Sequence, residues 1–154
     1  MRKLWKTTIL FLSITSMMLI GASLPAQAGN IILSNNSGTD SSVFFVEGEP
    51  SVIMNGFDLS SVGVELPIVL DVVSISVDTP AVGANTQVLI YEDPNGGSPV
   101  DATLVYSETV QINQAGNVRI MLTEPVVIKS PMVWVGFYLP VDFRFNVDKS
   151  GSSV

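Results

Sequence analysis

Residues 132–148 have the sequence MVWVGFYLPVDFRFNVD, which contains two kinds of predicted strand in succession. In Met132–Leu139, apolar side chains occupy both alternating faces, which is typical of a strand in the centre of a sheet. From Val141 onward, apolar residues alternate with Asp, Arg and Asn, which is typical of a strand with one buried and one solvated face. The period of two predicts β-structure across the whole stretch.

The chain upstream shows the same period. Apolar or β-branched segments recur at intervals of about eight to twelve residues, with turn-forming residues between them. No segment after the N-terminal leader has helical spacing, so the sequence predicts an all-β fold. Two antiparallel sheets would pack as a β-sandwich, in either jelly-roll or immunoglobulin-like topology. The predicted strands are Val43–Val46, Ser51–Leu59 with a break at Asn55–Gly56, Val69–Val77, Thr86–Tyr91, Leu104–Ile112, Val118–Leu122, Val126–Ile128, Met132–Leu139 and Val141–Val147.

The N-terminus predicts a secretory signal peptide. Three basic residues within positions 2–6 precede an uncharged apolar run at 7–20, and the small residues of Ala26-Gln27-Ala28 suit a cleavage site. The alternative is an uncleaved anchor, but the apolar run is short for a membrane span. We expect residues 1–28 to be a signal peptide, 29–42 a flexible polar segment, and 43–154 the β-sandwich, complete or truncated at its C-terminal end. The mature protein would be secreted, into the medium or periplasm or onto the cell surface.

The processed chain would be strongly acidic. The formal charge of all 154 residues is −7, and it becomes −10 from Gly29 onward because four cations remain against fourteen carboxylates. A negative surface repels nucleic acid and anionic lipid, so neither is expected as a partner. The processed chain also has no apolar stretch of membrane-spanning length. We expect a glycan or another surface component as partner, and the oligomeric state is left open.

The residue types present exclude several kinds of chemistry. Cysteine and histidine are both absent, which excludes disulfides, thiolate catalysis, Ser-His-Asp triads and imidazole-held metals. Asp71 and Glu108 fall on otherwise apolar strand faces, where burial would raise the pKa of a carboxyl group. The alternative is that both reach water, as lone carboxylates on strands usually do. Glu92 and Asp93 are adjacent, and at a turn both would be ordinary solvated residues. Because secreted sandwiches of this size are more often binding modules than catalysts, we expect a non-catalytic protein.

Several segments share a pattern in which a strand ending in Tyr leads into an Asp- and Gly-rich hairpin and a later strand carries Trp-x-Gly. They are VLIYEDPNGGSP at 88–99, LVYS at 104–107, PVVIKS at 125–130 and VWVGFYLP at 133–140. Together they resemble the jelly-roll or immunoglobulin-like accessory domains of bacterial secreted proteins, some of which are similar to carbohydrate-binding modules. The resemblance spans residues 69–140 and implies a surface-exposed accessory module. It fixes no binding residue.

Aromatic residues are the candidates for sugar binding. Trp134 and Tyr138 share one face of a predicted strand about 13 Å apart, a spacing that suits rings along a glycan chain. Tyr91, at the end of another strand, is a third candidate ligand-binding residue. The alternative for all three is the core between the sheets, and the sequence favours it for Trp134 because large aromatics on central strands dominate sandwich cores.

A candidate calcium site follows the strand that ends at Tyr91. Asp93, Asn95 and Asp101, with the carbonyl groups of Gly96-Gly97, offer the hard oxygen ligands that calcium prefers. The alternative is ordinary turn chemistry, since Asp-Pro-Asn-Gly is a strong turn sequence and the spacing does not match a calcium loop of the Asp-x-Asp-x-Asp-Gly type.

Two functional hypotheses follow from these residues. The first is a non-catalytic secreted or surface module that binds carbohydrate and is stabilised by calcium. The alternative is a structural or self-associating surface domain that acts through its sheet edges or as part of a larger assembly.

Overall fold

The computed structural model describes residues 32–34 and 42–147. The predicted signal peptide, most of the predicted polar segment and the C-terminal end after residue 147 lie outside the described residues. Within them the chain is all β, apart from one turn of 3-10 helix at Pro99–Asp101.

The predicted segments correspond to eight strands within these described residues. They are β1 (Ser42–Phe44), β2 (Ser51–Asp58), β3 (Ile68–Thr79), β4 (Asn85–Asp93), β5 (Thr103–Gln111), β6 (Gly116–Ile128), β7 (Met132–Leu139) and β8 (Arg144–Val147). The bounds of β7 are those predicted from the sequence, and the predicted break in β2 at Asn55–Gly56 is absent.

Two differences from the predicted strands have local causes. The segments around Pro125 form one strand, β6, because the chain passes the proline in an irregular stretch of pairing, where no ladder hydrogen bond is needed from it. Strand β8 begins at Arg144 instead of Val141. Asp142 has φ of 66°, and the Phe143 N–H donates to the Pro140 carbonyl at 3.3 Å, so the chain makes a tight turn before it extends.

Strand pairing decides between the two topologies. The first sheet has the order β1-β8-β3-β6 and the second has the order β2-β7-β4-β5, with all pairs antiparallel. The pairs β1/β8, β2/β7, β3/β6 and β4/β5 are nested, as in one long hairpin rolled into two sheets. Nested pairing of this kind is the jelly roll, whereas an immunoglobulin-like sandwich would pair its strands in a different order.

The core lies between the two sheets. It takes alternate side chains from β3, β6 and β8 on one side and from β4 and β7 on the other, as expected for face-to-face packing. Burial of this apolar surface is the main source of stability in a chain without disulfides. The buried members are Leu59, Val73, Ile75, Val77, Val88, Ile90, Ile112, Val118, Leu122, Val126, Ile128, Val133, Phe137, Leu139, Phe143 and Phe145.

Asp71 lies where the pairing of β3 with β6 shifts register. The shift falls between Leu70 and Val72, with extra residues of β6 on the opposite side. It changes which β3 side chains face inward. Ile68 and Leu70 pack against the core, whereas Val69 is 63% exposed. The alternation in the sequence predicts one apolar face made of Val69, Asp71, Val73, Ile75 and Val77. This face is wrong before the shift, where Val69 and Asp71 are exposed, and right after it, where the other three are buried.

One polar side chain is buried without compensation. Thr86 in β4 is 1% exposed, and within the described residues its hydroxyl oxygen has no hydrogen-bond partner. Burying a hydroxyl group without a partner costs about 1–3 kcal/mol.

We expect Thr86→Val to raise the free energy of unfolding by about 1 kcal/mol, because valine has nearly the same shape and no hydroxyl group to desolvate. Urea denaturation measures the change. Thr109→Val is the matched control, since Thr109 is an exposed strand residue on β5 and its replacement should change stability little. Equal effects of the two substitutions, or a loss of stability in Thr86→Val, would contradict this account of Thr86.

Candidate functional site

The outer surface of the second sheet carries the three candidate aromatic residues. In β7, Val133, Phe137 and Leu139 are buried in the core, so the alternate residues Trp134 and Tyr138 lie on the opposite, outer side of the sheet. The core position that the sequence favoured for Trp134 is wrong. The reason is that both faces of β7 are apolar, so their composition does not select the inner face, and packing of the sheets buried Val133, Phe137 and Leu139.

Register between strands places Tyr91 beside Trp134. The two residues are direct partners in the β4/β7 pair, and Tyr91 is also paired with Leu104 of β5. Direct partners in an antiparallel pair have Cα atoms about 5 Å apart and side chains on the same face. We call the outer surface around Trp134, Tyr91 and Tyr138 the aromatic face.

Trp134 packs over a glycine on the other neighbouring strand. Gly56 of β2 is its direct partner, and a Cβ atom built on Gly56 would lie 2.8 Å from the ring carbon Cζ3. The Met132 side chain covers the same glycine. The absence of a side chain at Gly56 therefore provides the space in which the indole ring rests.

Tyr138 lies four residues after Trp134 in β7, on the same face of the sheet. It is 37% exposed and is paired with Val52 of β2, itself 52% exposed, and with Gln87 of β4. The distance between Trp134 and Tyr138 along the strand is about 13 Å, as the sequence predicts. In this part of the aromatic face, Tyr138 therefore lies between the apolar side chain of Val52 and the polar amide of Gln87.

Asp93 holds the edge of the indole ring. It is 0% exposed, and its Oδ1 accepts the backbone N–H groups of Asn95 at 3.1 Å and Gly96 at 2.9 Å. Its Oδ2 accepts a long hydrogen bond of 3.5 Å from Trp134 Nε1. One carboxylate therefore closes the β4–β5 loop and orients the Trp134 side chain.

The three candidate calcium ligands are brought together in the same loop. Asn95 Nδ2 donates to Asp101 Oδ2 at 2.8 Å, while Asp93 accepts from the loop backbone. These bonds are those of the turn-chemistry alternative. In the part of the chain that the structure describes, no group of three or more carboxylates is arranged to hold a metal ion.

A depression adjoins the aromatic face, and the sequence did not predict it. Its volume is about 380 Å³, and it lies between the turn after β2 and the β4–β5 loop. Met132 is paired with Asp58 on one side and with Asp93 on the other, and it lies two residues before Trp134 on the same face. The depression, which Met132 lines, is therefore next to Trp134 at the end of the sheet. We call it the end pocket. Its lining residues are Asp58, Ser60, Pro94, Asn95, Gly96, Gly97, Pro131 and Met132.

Asp58 is fixed at the wall of the end pocket by its own turn. Its Oδ1 accepts from the Ser60 N–H at 2.9 Å, from the Ser60 hydroxyl at 2.5 Å and from the Ser61 N–H at 3.3 Å. These hydrogen bonds, that of the Ser60 hydroxyl above all, hold the pKa of the Asp58 carboxyl below its ordinary value. Asp58 is therefore a carboxylate at neutral and mildly acidic pH.

The other conspicuous carboxylates have structural partners. Glu92 Oε1 accepts the backbone N–H groups of Lys129 and Ser130, the latter at 3.1 Å, and so fixes the turn between β6 and β7. Glu108 on β5 accepts the Thr123 N–H at 3.1 Å and the Thr123 hydroxyl, and it accepts the Tyr106 hydroxyl at 2.5 Å. Because β5 and β6 are edge strands of different sheets, Glu108 ties the two sheets together.

Hydrogen bonds from Thr123 and Tyr106 hold the pKa of Glu108 below its ordinary value. The raised pKa expected for a buried Glu108 is therefore wrong, because donors surround the carboxylate and outweigh its desolvation.

A carboxyl pKa that is lower in the folded state gives stability above the unfolded-state value of about 4.3, and this stability is lost as pH falls through the folded-state value. We expect Glu108→Gln to unfold at lower urea than the wild type at pH 7, and the gap to narrow as pH falls below about 4. Glu124→Gln removes the same charge from β6, one residue from Thr123, without these hydrogen bonds, and should change stability little. A gap for Glu108→Gln that is constant with pH would contradict the account.

No family model, curated protein or solved structure matches this chain. Among the residues that the structure describes, no helix is long and apolar enough to cross a membrane.

Proposed function

We propose that this protein is a non-catalytic secreted module that binds carbohydrate chains on its aromatic face. The observation that carries the proposal is the position of Trp134, which lies outside the core, over Gly56 and beside Tyr91. Trp134 and Tyr91 are half-buried on this outer face, so part of each aromatic side chain is open to the C–H groups of a sugar ring. Contiguous apolar surface with a polar surround is typical of binding sites.

The two outer faces of the sandwich differ in a way that supports this choice. The middle of the first sheet presents polar residues, among them Ser76, which accepts a hydrogen bond of 3.0 Å from Asn146 Nδ2. The second sheet presents Trp134, Tyr91 and Tyr138 instead. Antiparallel sheets usually turn a polar face to water, so the aromatic face is the exception.

Self-association remains a second candidate because of strand β1. This edge strand has three residues, and its Val43 and Phe44 are 46% and 50% exposed. Exposed apolar side chains on a sheet edge favour pairing with a second copy. A complex of two copies through β1 would not involve the aromatic face, so substitutions on that face separate the two candidates.

We expect specific binding on a glycan array, and a loss of about tenfold or more in affinity for Trp134→Ala, because the substitution removes the largest apolar contact surface. The variant should remain folded, because the ring lies outside the core between the sheets, but its thermal midpoint should fall, because the half-buried ring covers Gly56 and donates to Asp93. Met121→Ala is the control, as Met121 is an exposed apolar residue on the other sheet. Unfolding of Trp134→Ala, or binding equal to that of the wild type, would contradict the proposal. Absence of glycan binding together with a mass that rises with concentration would favour self-association.

Calcium titration separates the two alternatives for the β4–β5 loop. The oxygens of Asp93 and Asp101 already accept hydrogen bonds inside the loop, and we therefore expect the same thermal midpoint in calcium and in EDTA. A midpoint that rises in calcium, and does not rise in Asp101→Asn, would instead establish calcium as a stabilising ligand.

A further inference from the structure

We propose that the end pocket is a subsite for a neutral, hydroxyl-rich sugar ring, and that Asp58 excludes anionic glycans from it. The inference rests on the proposed function and names the class of carbohydrate that the same surface takes. The volume of about 380 Å³ lies within the range of small-molecule sites, about 300–1,000 Å³.

The pocket is continuous with the aromatic face. Met132 lines it, and both the Met132 methyl group and the Trp134 ring lie over Gly56. A glycan chain stacked on Trp134 and running along β7 therefore meets the end pocket with its next ring. The pocket then serves as the end of the binding surface, beyond the stacking residues.

The polar groups of the pocket suit hydroxyl groups. A carboxylate only accepts hydrogen bonds, and a sugar hydroxyl group donates one. Asp58 Oδ1 is occupied by its turn, and the same carboxylate carries a second oxygen, Oδ2. The Asn95 amide adds an acceptor oxygen and the second hydrogen of its Nδ2, and the Ser60 hydroxyl, whose proton is donated to Asp58, adds an acceptor. The apolar walls at Pro94, Pro131 and Met132 suit the C–H faces of the ring.

The charge of the site excludes acidic sugars. Asp58 is the one charged residue in the lining of the pocket, and Asp93 and Asp101 lie in the adjoining loop. The cations of the described residues lie elsewhere. Arg119 and Arg144 belong to strands of the first sheet, and Lys129 lies in the β6–β7 turn, close in sequence to Pro131 but outside the lining. A uronate or sulfate group would have to approach a carboxylate with no cation to compensate it, and like charges in contact cost several kcal/mol.

Calorimetric titration with matched oligosaccharides tests the inference. The neutral probes are β-1,4-glucan, β-1,3-glucan, mannan and xylan oligosaccharides, and the anionic probes are polygalacturonate, alginate and sulfated glycan oligosaccharides. For the wild-type protein we expect at least one neutral probe to bind and every anionic probe to bind at least about tenfold more weakly. The preference should shrink at high salt, where charges are screened.

Asp58→Asn keeps an acceptor oxygen for the Ser60 N–H group and removes the charge. We expect it to reduce the ratio of neutral to anionic affinity about tenfold. Asp78→Asn is the matched control, because it removes one exposed carboxylate from the first sheet and leaves the pocket unchanged. The wild-type comparison requires no variant, so equal binding of neutral and anionic probes would overturn the inference even if Asp58→Asn fails to fold, while the comparison of Asp58→Asn with Asp78→Asn separates Asp58 from the overall negative charge.

The outcomes distinguish the inference from the function on which it rests. Equal binding of neutral and anionic probes, or an equal effect of Asp58→Asn and Asp78→Asn, would overturn the role of the end pocket while glycan binding through Trp134 stands. Absence of binding to every probe would overturn the proposed function, and the subsite with it.

Discussion

Side-chain alternation in β7 is the constraint on which the rest of the structure depends. The strand lies inside its sheet, between β2 and β4, and both of its faces are apolar. Once Val133, Phe137 and Leu139 enter the core, Trp134 and Tyr138 must lie on the open side, because a slip of one residue would exchange the two sets. The same strand therefore closes the core and forms the surface that we propose as the binding site.

In a chain without cysteine or histidine, carboxylates fix the loops and turns of the sandwich. Asp93 closes the β4–β5 loop and holds the indole of Trp134, and Glu92 fixes the turn before β7. Glu108 joins β5 to β6 where the two sheets meet. Each of these three carboxylates accepts hydrogen bonds from backbone N–H groups that would otherwise be unpaired. This role explains why carboxylates lie beside the core of an acidic chain. Asp58 is similar in its turn but differs in also lining the end pocket.

The fold could be predicted from the period of two, and the site only in part. Strand β7 was predicted to its ends, and the sandwich followed from the number and spacing of strands. The face of Trp134 could not be predicted, because both faces of β7 are apolar and only packing against the other sheet selects one. Gly136 lies between Trp134 and Tyr138 on the aromatic face, where the Met54 side chain fills the space above it.

Features that depend on register were beyond the sequence. The shift beside Asp71 involves residues of β3 and β6 far apart in the chain, and no local pattern marks it. The end pocket likewise joins Asp58 at the end of β2, Asn95 in the β4–β5 loop and Pro131 in the β6–β7 turn. Such contacts exist only once the strands have paired.

Quenching of Trp134 fluorescence by acrylamide tests the central claim most directly. The chain has two tryptophans, Trp5 and Trp134, and only Trp134 remains after removal of residues 1–28. The account predicts that acrylamide quenches this emission in protein prepared without residues 1–28 and that a bound neutral oligosaccharide protects it. Emission that acrylamide does not quench, or quenching that no oligosaccharide changes, would contradict a glycan-binding Trp134 on an open sheet face.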